Sequence, residues 1–273
     1  MTRFFCILLL SVYALSSYAW NMQGHRVIAQ VAFNHLTPAA KKMCHQYLKF
    51  RVNKSANVQF LAAATWLDII RFRNIHWYDA FHYIDTPFSD DNTMLPAIEN
   101  TNAVWGINNA IKVLAARKKK NKGDKRLALL ILMHLVGDVH QPLHAATKVS
   151  KQLPHGDLGG NLFPLGANEV GNNLHKYWDN GAGIYLGRSN IAQIKMKAQM
   201  MEKKWPCTQI DTQQIPEQWA RASYKLALTQ VYQLNPNEIP GNQYQKNAQN
   251  IVQKQTVIAG CRLAALLNQI AAS

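Results

Sequence analysis

An apolar run at 127–133 leads directly into His134-Leu135-Val136-Gly137-Asp138-Val139-His140-Gln141-Pro142-Leu143-His144. This order constrains the fold strongly, because an apolar helix must be buried and here it takes histidines and a carboxylate with it. His134 and Asp138 are four residues apart and project from one helical face, one turn above the other. Pro142 interrupts the helix and frees His144 to point towards a neighbouring position. Imidazole and carboxylate at this spacing are how helical proteins build metal sites from inward-projecting side chains. His140 lies off the His134/Asp138 face and reads as a structural or supporting residue.

Helical periodicity dominates the rest of the chain. Apolar positions at Val27, Ile28, Val31 and Ala32 mark a helix over 26–36, and Thr37-Pro38 caps a second that runs to about 48. Further helices are expected over 58–70, 102–116, 124–139, 191–203, 216–232 and 245–271. Strand signals are short, around 81–84, and the glycine-rich stretch 156–171 is aperiodic, an irregular loop or small hairpin. The expected class is mostly α, one helical domain with a small amount of β-hairpin.

The amino terminus reads as a secretory leader: Arg3, an apolar stretch at 4–15, then Ser17-Tyr18-Ala19 as a small-residue cleavage site. Twelve apolar residues fall short of the roughly 20 that span a bilayer, and no later segment is long and apolar enough. The mature chain is therefore expected to begin at Trp20, to be secreted or periplasmic, and to have no membrane anchor. Of the 30 basic residues all but Arg3 remain against 15 acidic ones, a formal charge of +14. That excess suits polyanions, although a high pI is common among exported proteins. The basic run at 117–122 reads as a solvated turn between helices. Cys44, Cys207 and Cys261 allow one disulfide and one thiol over, with the pairing open, and no C-x-x-C pattern suggests thiolate zinc ligation.

Further donors lie elsewhere among the ten histidines. His175 and Asp179 repeat the four-residue spacing, His82 sits in Phe81-His82-Tyr83-Ile84-Asp85, and His25 follows Trp20 closely. Asp68 ends an apolar helix, where a carboxylate must be paired, protonated or metal-bound. Singly, each is more often a hydrogen-bonded structural residue; together they make an improbable coincidence. His35, His45, His76 and His155 show no such partner in the sequence.

The ordered set Trp20, Gly24-His25, Trp66-x-Asp68-x-x-Arg71, His82-Tyr83-Ile84-Asp85, His134-x-x-x-Asp138-x-His140-Gln141-Pro142-Leu143-His144, Gly159-Gly160-Asn161 and Leu174-His175-x-x-Trp178-Asp179 resembles the type I zinc-dependent single-strand nucleases. That family is related in fold to the bacterial three-zinc phospholipase C enzymes. The match covers 20–179, and the remainder matches only as helical scaffold. One departure is Leu67, where small residues are common in the family.

The resemblance implies three zinc ions. Asp68, His82, His134 and Asp138 would hold one, and His144, His175 and Asp179 a second. Trp20, through its freed α-amine and carbonyl, would hold the third with His25 and a bridging Asp138, so leader removal would complete the site. It further implies a water activated between the two metals that share Asp138, a third metal at the leaving 3′ oxygen, and Arg71 neutralising charge on the equatorial oxygens of the transition state. Asp68, Arg71 and Asp138 are thus the expected catalytic set. Tyr83 would stack a base, Asp85 would hydrogen-bond it, and Asn161 would support the substrate. The expected partners are single-stranded DNA and RNA, cut to 5′-phosphorylated products, and 3′-mononucleotides, with the enzyme a monomer. A phospholipase C would share the zinc core, but Tyr83, Asp85, Arg71 and the basic surface favour nucleic acid. They also argue against a zinc-storage protein, which has no use for them.

Overall fold

A computed structural model describes residues 20–48, 54–116 and 121–273. The expected leader at 1–19 and most of the basic run at 117–122 lie outside the described residues. In chain order the helices are α1 (Met22–His35), α2 (Pro38–Tyr47), α3 (Ala56–Ala63), α4 (Trp66–Arg71), α5 (Ala103–Ala115), α6 (Lys122–Asp138), α7 (Leu174–Asp179), α8 (Ile191–Lys204), α9 (Pro216–Leu226) and α10 (Asn242–Ala272). The strands are β1 (Thr86–Ser89) and β2 (Ala146–Val149). No helix among the described residues is long and apolar enough to cross a membrane.

Short polar side chains start most of these helices by accepting the otherwise orphaned first amides. Asn21, Thr37, Ser55, Asn102, Asn121 and Asn173 each do so, Pro38 occupies the first turn of α2, and Asn190 with Gln193 forms a reciprocal capping box on α8. α1 lies along α10, α8 and α3, while α6 runs against α5. One continuous buried core joins Ile28 and Val31 of α1, Leu129, Leu132 and Met133 of α6, and Val252, Leu263 and Leu267 of α10. Leu67 is fully buried in this core.

Three local features differ from the periodicity. The helix expected over 58–70 is two helices, because Thr65 leaves helical geometry and its hydroxyl donates to the Ala62 carbonyl. The helix over 216–232 stops at Leu226, and a π turn follows over Ala227–Val231. The expected hairpin is absent among the described residues: β1 and β2 pair in parallel, Thr86 opposite Ala146, with α5 and α6 between them in the chain. The stretch 156–171 contributes only an isolated antiparallel bridge, Pro164 to Asn173. Residues 81–84 end a 3₁₀ turn, Asp79–His82, and β1 begins only at Thr86.

This small sheet has a positional consequence. Just before the two strands, the Ile84 amide donates to the His144 carbonyl at 2.8 Å, and the His144 imidazole donates through Nδ1 to the His82 carbonyl at 2.5 Å. The ladder thereby holds the His82 turn and the turn Pro142–His144 side by side.

Candidate metal centre

The last turn of α6 carries His134 and Asp138, both fully buried. His134 Nδ1 donates to the Ala64 carbonyl at 2.7 Å, exposed by the break between α3 and α4. That bond orients the ring so that Nε2 faces inward. Nε2 stands 3.4 Å from an oxygen of Asp68, 3.4 Å from one of Asp138 and 3.2 Å from His82 Nδ1. His82 Nδ1 is in turn 3.0 Å from the second contact of Asp138, its Oδ2. α1 adds His25, whose Nε2 lies 3.2 Å from Asp138 Oδ1 and whose ring stacks on His134 at 4.0 Å. His25 approaches so closely because position 137 is glycine: a Cβ there would sit 2.8 Å from His25 Nδ1.

A second group forms beyond Pro142. His144 Nε2 and His175 Nε2 face each other at 3.1 Å, and Asp179 Oδ2 lies 3.3 Å from His175 Nε2. His175 Nδ1 donates to the Gly159 carbonyl at 2.7 Å, so both imidazoles present Nε2 lone pairs to one space. Three donor sets result, His25/His134/Asp138, Asp68/His82/His134 and His144/His175/Asp179, each with its donor atoms within 4.8 Å of one another. The beginning of α1 is tied to this second group, since the Asn21 amide donates to the Asp179 carbonyl and the Asn21 side chain to Asn180.

The buried charges are tightly coupled. Burial opposes ionising Asp68 and Asp138, but His134, with His25 and His82, outweighs it and holds Asp68 below the usual carboxylate range and Asp138 well below. Burial alone would lower His134, yet Asp138 and Asp68 raise it to about 9. His25 is lowered by burial and by its neighbour His134. Asp179 is pushed well up by burial and by Asp68 and Asp138, against the hydrogen bond from Gln141. Both nitrogens of His25, His82 Nε2, both oxygens of Asp68 and Asp138 Oδ1 are buried without a hydrogen-bond partner. Buried polar atoms are ordinarily satisfied, so such a convergence of lone pairs fits a metal ion.

The S1/P1 nuclease family profile matches residues 20–272. The chain belongs to the S1/P1 nuclease family. Its similarity to Endonuclease 4 of Arabidopsis thaliana is 26% identity, covering 98% of this chain and 94% of the relative. It is also 23% identical to Nuclease S1 of Aspergillus oryzae over 60% of this chain and 54% of that one, and 25% identical to Nuclease P1 of Penicillium citrinum over 59% and 57%. This S1/P1 nuclease is thus an enzyme acting on nucleic acid, and the phospholipase alternative gives way.

In this S1/P1 nuclease the remaining expected residues lie at different depths. Trp20 is fully buried, its ring edge-on to Tyr185, with Nε1 unpartnered. Arg71 pairs with Asp79, Nε to Oδ1 at 2.9 Å. Tyr83 is partly buried and raised by burial, then by Asp85 and Asp79, with Arg71 opposing. Asp85 holds a left-handed backbone, and burial together with Asp157 raises its carboxyl to about 7. Asn161 donates its side-chain amide to the Leu158 carbonyl, within its own loop. His140 is a brace: Nδ1 donates to the Val136 carbonyl and Nε2 accepts from Arg262 at 2.8 Å. His76, which shows no partner in the sequence pattern, pairs with Asp79 at 3.1 Å.

Sequence reasoning missed four supporting residues. Gln141 donates to Asp179 at 2.7 Å and accepts from the Leu143 amide. Asp157 accepts from the amides of Lys148 and Gly160 and from Tyr232, which orders the glycine loop behind His175. Asp79 steers Arg71, and Arg262 fills the second nitrogen of His140. Gln141 and Asp157 sit inside recognisable motifs; Arg262 carries no local signal. His35, Glu202 and Cys207 also come together, but the Cys207 sulfur is bonded to Cys261, which removes it as a ligand.

Proposed function

We propose that residues 20–273 form one zinc-dependent endonuclease domain that prefers single-stranded DNA and RNA, leaves 5′-phosphorylated products and removes phosphate from 3′-mononucleotides. The observation that carries this reading is three adjoining sets of buried imidazoles and carboxylates, two of which hold unpartnered atoms of His25, His82, Asp68 and Asp138. Three zinc ions suit those sets. Asp68, His82, His134 and Asp138 would hold one, His144, His175 and Asp179 another, and Trp20, His25 and Asp138 the third. Bound zinc supplies Lewis acidity, lowering the pKa of water and drawing charge from phosphoryl oxygens.

The chain's own residues prepare the rest. The bonds from His134, His144 and His175 Nδ1 to backbone carbonyls orient the three rings before any ligand arrives. Asp79 holds the Arg71 guanidinium, which places positive charge for the equatorial oxygens of the phosphorus centre. Tyr83 offers a stacking face and Asp85 a hydrogen-bonding carboxyl for an unpaired base, and such stacking tolerates any sequence but needs the base exposed. Asn161 supports the substrate from the glycine loop. Export and removal of residues 1–19 free the Trp20 α-amine as a basic ligand, and the enzyme works as a monomer.

The test is hydrolysis by the purified, leader-cleaved protein of single-stranded DNA, RNA, a 3′-nucleotide and phosphatidylcholine, each with and without chelator. Nucleic acid and 3′-nucleotide should be cleaved, lipid left intact, and chelator should abolish activity. Cleavage of lipid with nucleic acid untouched would overturn the reading.

A further inference from the structure

α5 begins beside the proposed base pocket. The Ala103 amide donates to the Tyr83 carbonyl at 2.9 Å, and Phe81, which precedes the buried His82, packs against Trp105 at 5.2 Å between ring centroids. Gly106 lets α5 pack closely on α6, since a Cβ there would meet Leu135 at 2.6 Å. Trp105 is nevertheless 45% exposed, on a helix that buries its other face through Ala103, Gly106, Ile107, Ala110 and Leu114.

The exposed face has its own order. Trp105, Asn108, Asn109 and Lys112 stand at i, i+3, i+4 and i+7, one continuous stripe of roughly 10 Å along the helix. With Asn100, Asn102 and Glu217 they line a hollow of about 320 Å³, a size typical of small-ligand sites. Asn108 is committed to Glu217 at 2.7 Å, and Asn102 caps α5. Asn109 and Lys112, which also line the hollow, are exposed.

We propose that this hollow is an accessory nucleotide subsite. Trp105 stacks an unpaired base one nucleotide beyond the Tyr83 pocket, Asn109 hydrogen-bonds that base's edge, and Lys112 meets the adjoining phosphate. Glu217, held by Asn108, repels phosphate from the middle of the stripe and so keeps the base at the Trp105 end and the backbone charge at the Lys112 end. The subsite rests on the nuclease reading above and extends it: the enzyme grips a stretch of strand longer than the dinucleotide it cuts. The indole face tolerates any base, whereas a duplex, with its bases already stacked, cannot supply one.

The experiment compares the zinc-loaded enzyme with Trp105→Ala, Trp105→Phe and Asn109→Ala/Lys112→Ala variants on a dinucleotide and on a single-stranded octanucleotide. Trp105→Ala should raise KM for the octanucleotide about tenfold with kcat within about twofold, and leave dinucleotide kcat/KM within about twofold. Trp105→Phe should recover most of that loss. The double variant should raise octanucleotide KM and reduce the salt dependence of log KM by about 0.7 per log unit. Equal losses on both substrates, or no loss on either, would overturn the subsite. If Trp105→Ala does not fold, an unchanged octanucleotide KM in the double variant would do so. Failure of the unmodified enzyme to cut either substrate would instead overturn the nuclease reading, and the subsite with it.

Discussion

His134 and His140 are both buried, six residues apart at the end of α6, and meet opposite surroundings. Each donates Nδ1 to a backbone carbonyl at 2.7 Å. The difference is at Nε2. Around His134 it faces two carboxylates and another imidazole, and the region accumulates lone pairs that no donor meets. Around His140 it accepts from Arg262, whose guanidinium also lies over Trp219 and donates to the Asp211 carbonyl, next to the Cys207–Cys261 disulfide. Burial and desolvation with the adjacent Arg262 charge hold His140 down to about 3, a permanently neutral brace, whereas Asp138 and Asp68 overcome burial to raise His134 to about 9. A ligand is thus distinguished from a brace by the carboxylates and imidazole that converge on its second nitrogen, not by burial or by sequence position.

The sharpest way to break this contrast is Asp138→Asn. It removes the carboxylate that touches His25, His82 and His134 together. Activity should fall by more than the roughly 100-fold typical of losing an outer partner of a metal ligand, and two zincs should leave together. Loss of one zinc alone, read by metal analysis, would contradict the shared role.

Much of this contrast could be read from the chain because helices make it local. The pairs His134/Asp138 and His175/Asp179 follow from four-residue spacing, and Pro142 marks where His144 leaves the helix. The placement of His140 off that face was readable for the same reason. What brings the pieces together is not local. The parallel pairing of β1 with β2, which sets His82 beside His144, joins two four-residue strands too short for a pattern. The Arg262 contact spans 122 positions, and nothing near either residue signals it. The break at Thr65 depends on one hydroxyl choosing the Ala62 carbonyl, a choice that periodicity does not see. It is also what exposes Ala64 to His134.

Gly137→Ala tests the ligand side more gently. The added methyl must displace His25, and zinc affinity should weaken about 10- to 100-fold while the fold survives. Affinity unchanged in a competition titration against a chelator would show that His25 does not ligate. Arg262→Met tests the brace side. It strips His140 Nε2 of its donor and should cost about 1–3 kcal/mol in chemical denaturation, with zinc content unchanged. A loss of metal there would erase the distinction between the two histidines.

Asp85→Asn gives the smallest effect and carries a sign. Burial and Asp157 raise the native carboxyl to about 7 from an ordinary 3.8, so the native state binds the extra proton between those values. Native stability from this group is therefore full below about pH 4 and is lost as pH rises through about 7. The variant should melt above the parent at pH 8, with the gap closing towards pH 4, while it cuts oligonucleotides less well. A gap that widens on acidification, followed by thermal melting across that range, would contradict the assignment.

Zinc stoichiometry tests the three-site assignment most directly. Elemental analysis of the leader-cleaved protein, dialysed against low zinc, should find three ions per chain, and His140→Gln should retain all three. No more than one tightly bound zinc in the parent protein, or loss of an ion in the His140 variant, would contradict it.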